Sequence, residues 1–141
     1  MKLQKVIVDA GPLVSFINKN DRYHEWAITQ FATMSPPLLT CEAVLSESCF
    51  LLRNFENGAI NVLELLERGL LAIPFRLEDE FRAIKILLGK YKNIPMSLAD
   101  GCLVRMAEQI SDSIVFTLDS DFKIYRKNRR KVTPTIMPND L

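Results

Sequence analysis

Four carboxylates stand at the ends of apolar segments or on their inward faces. Asp9 closes the run Lys5-Val6-Ile7-Val8 and is followed by Ala10-Gly11-Pro12. That run is apolar without alternation, the habit of a strand buried on both faces of a parallel sheet. Asp9 then stands at the strand's carboxyl end, the edge where open α/β sheets bind ligands. Asp119 repeats the device after Ser113-Ile114-Val115-Phe116-Thr117-Leu118. Glu47 comes three residues after Val44 and four before Leu51, so it shares or borders the inward stripe of its helix, Val44, Ser48, Leu51, Leu52 and Phe55. Asp100 opens a helix, on the face of Leu103, Val104 and Ala107. Each acid also has a plain structural explanation. Asp9 suits a turn or a helix cap. Glu47 can sit at the stripe's edge and reach water. Asp100 follows Ser97 at capping-box spacing, and Asp119-Ser120-Asp121 is a natural turn.

Convergence is the informative point. All four acids can meet over the carboxyl edge of one sheet. Carboxylates brought together repel, and the cluster needs a metal, bound protons or arginine partners. Hard oxygen ligands without His or Cys select Mg²⁺ or Mn²⁺. A divalent ion so held mainly serves phosphate chemistry. His24 is the single histidine, and a packed or solvated role suits it better than a site. Cys41, Cys49 and Cys102 show no CxxC spacing, so zinc is not expected, and reduced, partly buried thiols are.

The elements that must position these acids alternate between strand and helix. Leu38-Leu39-Thr40 and Leu70 to Pro74 read as further strands. Helices are predicted from Leu13 to Asn18, from Arg22 to about Met34 with Asp21 as cap, and from about Glu42 to Asn54. Others run from about Ile60 to near Gly69 as a C-cap, from Leu77 to Lys90 and from Ser97. In the helix from Leu77, residues Phe81, Ile84, Leu87 and Leu88 are expected to face inward. Thr135-Ile136-Met137 reads as an edge strand. The pattern predicts one α/β domain over residues 1–141, a three-layer α/β/α sandwich with a mostly parallel sheet.

At 141 residues and 48% hydrophobic, the chain has the size and composition of one globular domain. A net charge of +1 makes no global case for a polyanionic partner. Its distribution does: Lys123, Arg126, Lys127, Arg129, Arg130 and Lys131 follow directly on the acidic corner and are placed to hold a nucleic-acid backbone. The alternative is a solvated tail. No apolar run approaches the roughly 18 residues that span a membrane. The chain enters its first strand without a signal-peptide pattern, so a soluble, cytoplasmic protein is expected.

Four stretches resemble the acidic motifs of the PIN-domain ribonucleases, and within them the VapC-type toxins. They are Val8-Asp9-Ala10-Gly11-Pro12-Leu13, Ala43-Val44-Leu45-Ser46-Glu47, Ser97-Leu98-Ala99-Asp100 and Phe116-Thr117-Leu118-Asp119-Ser120-Asp121-Phe122. Asp21-Arg22-Tyr23-His24-Glu25-Trp26 is similar to a segment that follows the first helix in that family. The resemblance implies a Mg²⁺- or Mn²⁺-dependent endoribonuclease, with Asp9, Glu47, Asp100 and Asp119 as its metal-site acids. It implies Asp121 as an auxiliary acid and Thr117 as the hydroxyl that orients the site. Lys123, Arg126, Arg129 and Arg130 are then candidate RNA contacts. The implied reaction is in-line hydrolysis of an RNA phosphodiester, leaving 5′-phosphate and 3′-hydroxyl ends. The implied partners are RNA, a small antitoxin and a second copy of the chain. One departure is Ala10-Gly11, where many relatives carry Thr or Ser after the first acid.

Two other readings compete. Asp119-Ser120-Asp121 is similar to the start of the haloacid-dehalogenase phosphatase motif, but it lies near the chain's end rather than on its first strand. A non-catalytic RNA- or protein-binding module on the same fold is the stronger alternative, although none of the four motif acids is missing.

Overall fold

A computed structural model describes residues 4–141; the direct entry into the first strand expected for residues 1–3 lies outside them. Strand β1 spans Lys5–Val8 and is followed by α1, Ala10–Ile17, and α2, His24–Thr33. Next come β2, Leu38–Leu39, α3, Glu42–Leu51, α4, Gly58–Glu67, and β3, Leu71–Ala72. Helices α5, Leu77–Lys90, and α6, Leu98–Gln109, lead into β4, Ser113–Phe116. A 3-10 turn, Ser120–Lys123, precedes a hairpin of β5, Arg126–Lys127, and β6, Lys131–Val132, and the chain adds β7 at Thr135–Ile136.

The main sheet has the order β3-β2-β1-β4-β7, and all its pairings are parallel. This is the sheet of the expected three-layer α/β/α sandwich. β1 and β4 lie at its centre, as their continuous apolar runs demand. They pair residue for residue, Ile7 with Val115 and Val8 with Phe116. Side chains alternate across a sheet. On one face Phe116 meets Trp26 and Phe31 of α2, with ring centroids 5.3 and 5.2 Å away. On the other face α6 lies over β1 and β4, with α5 packed against it. Cys41 and Cys102 are free, buried thiols that line one small space between the start of α3 and α6.

Several helix details differ from expectation. Helix α3 ends at Leu51 rather than Asn54, and Leu51 and Phe55 are exposed at 45% and 41% instead of facing inward. Val44, Ser48 and Leu52 are buried as expected, Leu52 because the chain turns there and α4 begins close against it. Phe81 is 47% exposed, while Ile84 and Leu87 carry the packing of α5. Asp21 does not cap α2 itself. Its carboxylate accepts from Tyr23 N at 2.8 Å and Ser15 Oγ at 2.9 Å, fixing the loop before the helix. His24 is half-buried with Nδ1 2.7 Å from Ser15 O, a packed role.

The α3–α4 corner depends on Gly58. A Cβ there would lie 2.2 Å from Leu52 O and 2.9 Å from Leu52 Cβ. Backbone cannot yield as a flexible side chain does, so Gly58→Ala should open the corner. We expect a loss of about 1–3 kcal/mol, measured as a lower urea midpoint. A midpoint at or above that of the wild type would contradict this packing.

Candidate functional site

Strand register brings the first pair together. Val8 pairs with Phe116, so the next residues, Asp9 and Thr117, leave the sheet side by side on the face opposite α2. The ladder extends through Asp9 N to Phe116 O at 3.0 Å and Thr117 N to Ile136 O at 3.1 Å. Thr117 Oγ1 donates to Asp9 Oδ2 at 2.8 Å and accepts from Asp119 N at 2.9 Å. One buried hydroxyl therefore holds two acids in place. Ala10 N donates to Asp9 Oδ1 at 2.7 Å, making Asp9 the N-cap of α1.

Helix α6 delivers the third acid. It runs antiparallel to the strands it connects, so its first turn lies over the sheet's carboxyl edge. The capping box is real: Asp100 N bonds Ser97 Oγ at 3.0 Å, and Ser97 N bonds Asp100 Oδ2 at 3.2 Å. The cap does not keep Asp100 out of the cluster. Asp9, Asp100 and Asp119 each offer a carboxylate oxygen, and these atoms lie within 4.8 Å of one another. All three acids sit at helix N-termini, counting the 3-10 turn that Asp119 caps, and those amide ends favour negative charge.

Electrostatics record the crowding. Asp9, 6% exposed, is pushed up to about 7, chiefly by burial. The charges of Asp100 and Glu47 add to this, while the Thr117 and Ala10 hydrogen bonds oppose it. Asp100 and Asp119 are raised too, again first by burial. No ion pair among the described residues involves any of these acids. Asp100 Oδ1 and Asp119 Oδ2 accept no hydrogen bond from a described residue. The trio thus has open oxygens and, among the described residues, no cationic side chain to neutralise it.

Glu47 is not in the trio. It projects from an exposed position of α3 into the same cleft, a space of about 360 Å³ that Asp9, Asp100 and Asp119 also line. Burial, then the charges of Asp100 and Asp119, raise its pKa. Asp121 also stays outside the trio. Its N–H bonds Asp119 Oδ1 at 2.9 Å, and its carboxylate raises the pKa of Asp119. Gly11 forms part of the wall. A Cβ there would be 3.0 Å from Leu118 Cβ, so the departure after Asp9 reflects close packing of α1 on the loop after β4.

The sequence did not point to Tyr125. It is fully buried, and its hydroxyl donates to Asp100 Oδ2 at 3.3 Å. Burial and the surrounding acids push its own pKa up. A lone aromatic inside a basic run gave no signal for this contact. Among the basic candidates, Lys123 Nζ bonds the carbonyl of Leu141. Arg126 Nη1 bonds the carbonyls of Lys123 at 2.7 Å and Ile124 at 3.0 Å. Arg129 and Arg130 are exposed on the hairpin.

No protein-family model matches the sequence, and no curated protein matches it. Among solved structures, the chain is similar to VapC20 of Mycobacterium tuberculosis, a toxin that cleaves the sarcin–ricin loop. The TM-score is 0.77 at 19% identity, over 85% of this chain and 94% of the other. Sheet order, helices and this likeness agree with what the four motifs implied: the chain has the PIN fold.

Proposed function

We propose that this chain is a divalent-metal-dependent endoribonuclease and the toxin of a toxin–antitoxin pair. One observation carries the reading. Asp9, Asp100 and Asp119 converge on the sheet's carboxyl edge with oxygens within 4.8 Å and no cation among the described residues to neutralise them. The donor set fits a hard cation such as Mg²⁺ or Mn²⁺. Asp9, Asp100 and Asp119 would hold it, with Glu47 beside them. Bound there, it would neutralise phosphate charge and activate water for hydrolysis of an RNA phosphodiester. A likeness in fold to a toxin that cleaves a structured RNA supports RNA as the substrate.

The chain's own residues prepare this site. Thr117 fixes Asp9 and Asp119, and Tyr125 and Ser97 fix Asp100. Burial pushes the Asp9 carboxyl up to about 7, so near neutral pH it is partly protonated, and holding a cation would require that proton to leave. The same reading carries a small antitoxin, a second copy of the chain and the cytoplasm as partners and place. No helix among the described residues is long and apolar enough to cross a membrane.

The test is incubation of a mixed RNA pool with the chain in Mg²⁺, Mn²⁺ or chelator. Metal-dependent cuts leaving 5′-phosphate ends are expected. Cuts that persist in chelator would overturn the metal role, and 2′,3′-cyclic ends would overturn the mechanism.

Thr117→Val keeps the shape and removes the hydroxyl that ties Asp9 to Asp119. Loss of such an outer hydrogen bond typically weakens metal binding by about 10–100-fold. We expect that loss for Mn²⁺ in calorimetry, with Thr117→Ser close to wild type. Equal affinity in all three proteins would remove Thr117 from the site.

A further inference from the structure

The hairpin of β5 and β6 is built against its own stability. Six of the chain's 18 basic residues lie between Lys123 and Lys131, and no carboxylate occurs between Asp121 and Asp140. Lys123 and Arg126 are tied to backbone carbonyls. The side chains of Lys127, Arg129, Arg130 and Lys131 make no hydrogen bond or ion pair with a described residue. Pairing sets Lys127 directly opposite Lys131, so two like charges share one face. The turn places Asn128 at φ 50° and Arg129 at φ 73°, in the left-handed region that a long side chain rarely adopts. Strain and repulsion that persist in a fold point to something outside it that offsets them.

The hairpin's place is fixed. Tyr125, the residue before β5, touches Asp100 at the start of α6. At the turn, Asn128 N bonds Glu108 Oε2 at 2.6 Å, near the end of the same helix. Lys90, at the end of α5, donates to Arg129 O at 3.0 Å and adds a fifth cation there. The hairpin therefore runs along α6 from the acid trio outward. Asp100 and Glu108 are eight residues apart in sequence, a rise of about 12 Å. A stacked strand advances about 3.4 Å per nucleotide, so the turn lies roughly three to four nucleotides from the trio.

We propose that this hairpin grips the RNA backbone about three to four nucleotides to one side of the cut, which rests on the nuclease reading above. The turn carries no aromatic ring to stack on a base. It therefore holds phosphates and positions the strand without reading sequence.

The test measures binding, not cutting, so it stands apart from the nuclease reading. A fluorescein-labelled oligouridine of about 16 nucleotides is titrated in chelator across about 0.1 to 1 M salt. The proteins are wild type, the variant with Lys127→Gln, Arg129→Gln, Arg130→Gln and Lys131→Gln, and a charge-keeping Lys127→Arg, Lys131→Arg control. Removing four phosphate contacts should lower the slope of log K against log salt by about 3, an affinity loss on the order of 10³ at the low-salt end. The control should bind like wild type. The Gln variant should melt no lower than wild type, because the repulsion is gone. Equal slopes for wild type and the Gln variant would overturn the inference even if the chain cuts RNA. A changed slope would keep the hairpin as a grip on the RNA backbone even if no cutting is found, and would then overturn only its placement relative to a cut. Competition by a polyglutamate peptide as strong as by unlabelled RNA would overturn the RNA assignment.

Discussion

Asp9→Asn is expected to lower metal-dependent RNA cleavage by at least about 10³-fold, or about 4 kcal/mol of transition-state stabilisation. Asp9 is the most buried of the acids, and both its oxygens are already committed, to Ala10 N and to Thr117 Oγ1. An asparagine has the same shape and keeps one acceptor, and Thr117 can accept from its amide. The fold survives, but one of three charges for the ion is lost. Asp100→Asn should act alike while keeping an acceptor for Ser97 N, which separates its site role from its cap role. Asp121→Asn is the contrast. Its carboxylate lies outside the trio and its backbone N–H is unchanged, so a loss under about 10-fold is expected, the low end for an outer partner. Rates are compared on one RNA, with folding checked by circular dichroism. Asp9→Asn cutting at the wild-type rate would remove the trio from catalysis.

The second large effect is on stability. Asp9 has a pKa of about 7 in the folded chain, well above that of an unfolded aspartate, about 3.9. Between those values the folded chain keeps a proton that the unfolded chain has released, so stability falls as pH rises through this window. From about pH 5.5 to about pH 8 the loss from Asp9 is about 2 kcal/mol. Glu47, Asp100 and Asp119 are raised as well and act in the same direction. In chelator, Tm should drop by about 5 °C across that range. Mn²⁺ at the upper pH should reverse it, since an ion at roughly 100 times its Kd stabilises by about 2.7 kcal/mol. Asp9→Asn should flatten both responses. A Tm in chelator that climbs steadily from about pH 5.5 to about pH 8 would contradict a buried, crowded Asp9.

Much of this site was legible in the sequence because buried parallel strands have a plain signature. The two unbroken apolar runs each ended in an acid, and the sheet's central strands are those two runs. The fold class followed from alternation of strand and helix. Register was not legible, and register is what sets Thr117 beside Asp9 and lets one hydroxyl serve two acids. Glu47 shows a limit of periodicity. The buried face of its helix is Val44, Leu45 and Ser48, while Leu51, the other end of the spacing drawn through Glu47, is 45% exposed, so Glu47 lies on the border of the stripe and not within it. The capping box and the acid cluster looked like rival accounts of Asp100, yet one carboxylate serves both, since Oδ2 takes the cap bond and Oδ1 stays open.

The hairpin escaped for a physical reason too. Its strands have two residues each, its residues are charged rather than alternating, and its turn lacks the glycine that usually marks such a corner. A basic run of this kind reads as a solvated tail. The bonds from Asn128 N to Glu108, from Lys90 to Arg129 O and from Arg126 N to Tyr91 Oη show that it is folded against α5 and α6.

The central claim is that these acids form a divalent-cation site, and a calorimetric titration of Mn²⁺ into the wild-type chain at neutral pH tests it most directly. It needs no knowledge of which RNA is cut. The account predicts saturable binding with release of protons, since Asp9 must give up the proton it holds. It predicts that binding is lost in Asp9→Asn and kept in Asp121→Asn. No binding by the wild type, or equal binding by Asp9→Asn, would contradict it.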